Sequence, residues 1–186
     1  LWDRWTDSLE QALDSASGEL GEARELWFFS QSMPGHAVLE LLARRPEWAR
    51  RTAGWIADGG PFLDLHQSTV NLLLREQSVR SAQLARALAT VAFPVLGHRF
   101  SETAMRKRVI SSWAALHAHR EGRPLRVLSL RGALDPLVTP QMIDRCLDLT
   151  PWPEALLKVD LPQSHHLDGL KFDGDRYQSA VRAFLS

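Results

Sequence analysis

The feature that most constrains the fold is the succession of strand, tight turn and helix between residues 26 and 46. Leu26-Trp27-Phe28-Phe29 is a short, continuous apolar run bounded by polar residues, the pattern of a strand buried on both faces of a parallel sheet. Ser30 to Gly35 reads as a turn, after which Ala37, Val38, Leu41 and Leu42 recur at helical spacing until Pro46 stops the pattern. Ser32 stands in the middle of that turn. A hydroxyl there is exposed at the carboxyl end of the sheet, where the backbone N–H of Met33 and the helix N-terminus can face a developing oxyanion. An ordinary strand-to-helix turn has the same outline, so the rest of the chain must decide.

Parallel strands need a crossover, usually a helix, and the chain supplies the pieces. Thr52 to Ala57 reads as a second strand, ended by the loop signal Asp58-Gly59-Gly60-Pro61. Before the first strand, Leu1 to Ala16 has helical periodicity that Gly18 and Gly21 end. From Phe62 to about Glu121 the pattern is helical, with faces at Val70, Leu73 and Leu74, at Leu84, Leu88 and Val91, and at Met105, Val109, Trp113 and Leu116. Strand patterns return at Arg126–Leu130 and Leu156–Val159, with helices over Pro140–Leu149 and Arg176–Leu185. The expectation is an α/β fold in which a mostly parallel sheet is flanked by helices and interrupted by a helical insertion. Its segments are a core at 1–61, a helical cap at 62–122 and a second core portion at 123–186.

Composition narrows the function classes. Hydrophobic residues at 45% and charged residues at 24% suit a folded domain. With 22 Lys plus Arg against 22 Asp plus Glu there is no net field to gather nucleic acid or anionic lipid, and Arg106-Lys107-Arg108 reads as a solvated helix face. No nucleic-acid or membrane partner is expected: the longest apolar run, Val91 to Leu96, contains Pro94 and falls far short of the ~20 residues of a span. The single cysteine, Cys146, forms no internal disulfide and reads as a small apolar side chain. No signal-like stretch opens the sequence, which points to a cytoplasmic protein. The pair His165-His166 has no further ligand at metal spacing, so neither metal nor cofactor is expected.

Two later segments join Ser32. In Val127-Leu128-Ser129-Leu130-Arg131-Gly132-Ala133-Leu134-Asp135 a strand ends in glycine, two variable residues and an aspartate, with Pro140 five positions on. In Leu156-Leu157-Lys158-Val159-Asp160-Leu161-Pro162-Gln163-Ser164-His165-His166 a strand runs into a histidine loop. The set, in the order Ser, Asp, His after successive strands, resembles the α/β-hydrolase family. Its nucleophile turn is usually Gly-x-Ser-x-Gly, and here Ser30 and Pro34 stand in the glycine places; proline is compatible with the first helical turn. Counted from Pro162, the family histidine falls on His166.

The resemblance implies Ser32 as nucleophile, His166 as general base, Asp135 as the acid orienting it, and the Met33 N–H as one oxyanion donor. Alternatives stay open: His165 for the base, Asp58 for the acid, and for Asp135 a turn-capping role alone. The implied activity is hydrolysis of an ester, lactone or thioester of a small-to-medium apolar substrate. C–C bond hydrolysis, acyl transfer, or a non-catalytic binding role are the other readings. Phe93, Phe100 and Trp113 are expected near the substrate, and His36 and His66 are the other histidines placed to line a pocket. Family members begin with about four further strands, and the loop after the third supplies a second oxyanion N–H. The Leu26–Phe29 strand should then need an N-terminal segment or a complementary chain to complete the sheet.

Overall fold

A computed structural model describes residues 2–20, 25–75, 81–96 and 102–186. Its centre is a four-stranded sheet in the order β1 (Leu26–Gln31), β2 (Thr52–Asp58), β3 (Arg126–Gly132) and β4 (Leu156–Leu161). All three pairings are parallel, with Phe28 opposite Trp55, Trp55 opposite Val127, and Val127 opposite Leu156. The helices are α1 (Trp2–Leu20), α2 (Gly35–Arg44), α3 (Pro46–Arg51), α4 (Leu65–Arg75), α5 (Ala82–Leu96), α6 (Glu102–His119), α7 (Pro140–Leu147), α8 (Gly169–Phe172) and α9 (Gly174–Leu185).

The period of two along each strand sends alternate side chains to opposite faces, and both faces of the central strands are covered. Trp55, Ala57 and Val127 enter the larger core with residues of α2, α3, α6 and α7. Ile56, Leu128 and Leu130 enter a smaller one with Phe184 of α9, against which Trp27 packs edge-on at 5.5 Å. Parallel β2 and β3 carry apolar residues on both faces for this reason. Arg120, buried at the end of α6, donates to the carbonyls of Ala49, Thr52 and Pro124 at 2.6, 2.7 and 2.9 Å. It thereby joins the ends of α3, α6 and the loop entering β3.

Several expectations change. Gly18 lies inside α1, which runs on to Leu20. Pro46 starts α3 at its first position, where a missing N–H costs nothing. The strand at Leu26 is not buried on both faces: Phe28 is buried but Phe29 is 54% exposed, because β1 is an edge of the sheet. The helical segment 62–122 is of two kinds. Val70, Ala85 and Ala89 of α4 and α5 form a separate small cluster, whereas Met105, Val109, Trp113 and Leu116 of α6 lie in the main core. Among the described residues no helix is long and apolar enough to cross a membrane.

Candidate active site

Ser32 has φ of +55°, the left-handed region that residues with a Cβ rarely enter. The turn that forces it is held by main-chain bonds: Ser32 N–H donates to Asp58 O at 2.8 Å, Gly35 N–H to Ser32 O at 3.2 Å, and His36 N–H to Met33 O at 3.0 Å. Pro34 is helical at φ −51° and its carbonyl accepts from Ala37 N–H at 2.9 Å, so proline opens α2 without loss. The small-residue demand falls one place later, at Gly35, where a Cβ would lie 2.9 Å from Pro61 Cδ. Ser30 is buried and accepts the Trp55 indole N–H at 2.8 Å; a glycine there could not.

The second approach to Ser32 comes from β2. A Cβ on Gly60 would stand 2.8 Å from Ser32 Cα and against its carbonyl, and one on Gly59 would stand 3.5 Å from His166 Cε1. Ser32 and the His166 imidazole therefore flank the same two-glycine step. Gly59 itself has φ of +64°.

The histidine loop is seated on the end of β3. A Cβ on Gly132 would press on the carbonyls of Ser164, at 2.7 Å, and of His165, while Leu134 N–H donates to Ser164 O at 3.0 Å. Asp135, 5% exposed, uses one carboxylate oxygen to accept Leu137 N–H at 2.8 Å and Val138 N–H at 3.0 Å. Its other oxygen lies 2.6 Å from His166 Nδ1. Turn capping and imidazole pairing are thus done by the same side chain. His165 has no part in this: its ring is half exposed, with Nδ1 3.6 Å from Asp168.

Asp58 is engaged elsewhere, accepting the Tyr177 hydroxyl at 3.0 Å. Burial raises its pKa above the usual carboxylate value, opposed by Tyr177, Gln31 and the nearby His166. This tyrosine bond carried no sequence signal. His36 is buried behind the turn, with Nε2 2.8 Å from Phe62 O, and burial pushes its pKa down to about 4. His66 meets Thr90 Oγ1 at 3.3 Å on α5. Trp113 sits in the core between Trp55 and Trp152, each ring at 6.4 Å, so it does not reach toward Ser32. Phe93 and Phe100 lie outside the residues whose side chains are described. Among the described residues no cluster of three His, Cys, Asp or Glu could hold a metal ion.

An apolar groove of about 420 Å³ lies along β1, lined by Trp5, Leu9, Phe29, Pro34, Ala37 and Val38.

No protein-family model matches the chain, and no curated protein sequence does. Solved structures do. An esterase of Pyrococcus furiosus superposes over 94% of this chain and 57% of its own, at 14% identity and a TM-score of 0.56. E-2-(acetamidomethylene)succinate hydrolase matches 99% of this chain and 73% of its own, at 14% identity and a TM-score of 0.56. An α/β-hydrolase from a sediment metagenome of the Mar Chica lagoon, Morocco, matches 98% and 69%, at 14% identity and a TM-score of 0.55. The chain thus spans 57% of the length of the esterase and 73% of that of the succinate hydrolase, and over that span its parallel sheet and flanking helices are an α/β-hydrolase fold.

Proposed function

We propose that this chain carries the catalytic serine, acid and base of a serine hydrolase acting on acyl bonds of small-to-medium apolar substrates. The observation that supports this best is the pairing of Asp135 with His166 Nδ1 at 2.6 Å, with the imidazole beside Gly59 and Ser32 beside the adjoining Gly60. In a neutral imidazole a buried carboxylate holds the ring proton on Nδ1, so that Nε2 presents its lone pair to the serine proton. In the proposed reaction Ser32 Oγ attacks the acyl carbonyl as His166 Nε2 removes its proton. Met33 N–H and the start of α2 face the oxyanion, and the alcohol departs with the proton from His166. Water, activated in turn by His166, then releases the acid and restores Ser32.

The reading extends to the assembly. The free edge of β1 and the groove beside it suit a further strand, from a preceding segment of a longer polypeptide or from a complementary chain, which would also bring a second oxyanion donor.

The test is p-nitrophenyl ester turnover and fluorophosphonate labelling of the assembled protein, with a diketone-like substrate as a second arm for C–C cleavage. Ser32→Ala is expected to abolish both labelling and turnover while leaving the fold intact. His166→Ala should lower kcat about a thousandfold or more, and His165→Ala far less. Full turnover in Ser32→Ala, or the reverse ranking of the histidines, would overturn the assignment.

A further inference from the structure

Asp58 is a buried carboxylate that the scheme above does not use, and its surroundings give it a part. It is the last residue of β2, 6% exposed. Its carbonyl holds the Ser32 amide, and Gly59, which follows it, abuts the His166 ring. Its carboxylate is gripped by Tyr177 from α9 at 3.0 Å, while Gln31, next to Ser32, also bonds it. Both partners are neutral donors. An arginine or lysine in either place would cancel the carboxylate's field, whereas a phenol and an amide fix its position and leave its charge.

The ionisable groups packed about His166 among the described residues are few. Asp135, after β3, is bonded to Nδ1; Asp58, at the end of β2, immediately precedes Gly59, on which a Cβ would stand 3.5 Å from the ring; Tyr177 of α9 binds Asp58 and stays protonated, since burial and that carboxylate both raise its pKa. On the ring's own loop, His165 and Asp168 turn to each other. No cation among these opposes Asp58.

We propose that Asp58 is a positioning residue of the site, its carboxylate tethered by Tyr177 so that it stabilises the imidazolium of His166 in addition to Asp135. When His166 takes the serine proton, the positive charge forms in the field of two carboxylates, one hydrogen-bonded and one acting through space. The catalytic consequence rests on the proposed hydrolase reading, but the electrostatic one does not.

The deciding measurement is an NMR titration of His166 Cε1–H in the assembled protein, its signal identified by loss in His166→Ala. Asp58→Asn, which keeps the shape and an acceptor for Tyr177, is expected to move the His166 titration down by about 0.5 to 1 unit, less than the shift of about 1 to 3 units that an opposite charge in close contact gives. Tyr177→Phe removes the tether but not the charge. It should lower Tm and move the titration less than half as far. An unchanged His166 pKa in Asp58→Asn, or equal shifts in the two variants, would overturn the proposal whatever Ser32→Ala does to activity.

Discussion

His36 shows how one residue beside the turn sets a pH dependence for the whole domain. Its ring is wholly buried against Phe62 O, and the folded-state pKa of about 4 lies below the ordinary 6.5. The folded state therefore binds fewer protons than the unfolded chain between those values, and stability falls as pH drops through that window. The contribution is present in full above pH ~6.5 and is worth on the order of 3 kcal/mol once lost. Thermal unfolding from pH 7 to 4 should show a steeper fall in Tm for the wild type than for His36→Gln, whose amide can still donate to Phe62. Parallel curves would refute the assignment. At this scale the site was legible through the family resemblance, which is carried by short motifs. By that resemblance the acid fell on Asp135, three residues after Gly132, and the base on His166, four after Pro162, and the structure brings those two side chains together. The Trp55–Ser30 and Tyr177–Asp58 bonds were not legible, because they join residues 25 and 119 positions apart whose types alone predict no partner.

Among elements, the loop after β2 governs the site more than either helix beside it. Gly60 is packed against Ser32 Cα, C and O, all main-chain atoms that cannot swing aside. Gly60→Ala should therefore cost about 1–3 kcal/mol by overpacking and displace the turn that carries Ser32. Gly174, at the start of α9, has nothing within 4 Å of a Cβ, and Gly174→Ala should be neutral or slightly stabilising. Urea unfolding of both variants checks this, and similar midpoints for the two would contradict the geometry. The strands and most helices were readable from periodicity, since β2 and β3 carry apolar side chains to two covered faces. Periodicity could not assign α6 to the core rather than to the insertion. An apolar stripe at Met105, Val109, Trp113 and Leu116 says that a face is buried, not against what, and here it meets α2 and α3.

For the molecule as a whole, the consequential feature is the free edge of β1. Alternate residues of β1 turn their N–H and C=O groups away from β2, and the strand is long and apolar enough to serve as a template for another. Phe29, 54% exposed beside the groove lined by Trp5 and Leu9, adds an apolar contact to those unpaired groups. Natural edge strands commonly carry charge or are covered, and β1 has neither a charged residue nor, among the described residues, a strand on the side away from β2. If a further strand supplies the second oxyanion donor as proposed, residues 1–186 expressed alone should be insoluble or self-associating, and nearly inactive, since loss of one oxyanion donor costs on the order of a hundredfold or more in kcat. Phe29→Lys should reduce the association by placing a charge on the edge. Sedimentation velocity over a concentration series measures this directly, alongside ester turnover. A monomer at all concentrations with full activity would mean that β1 needs no partner, and the proposed completion of the sheet would have to be abandoned.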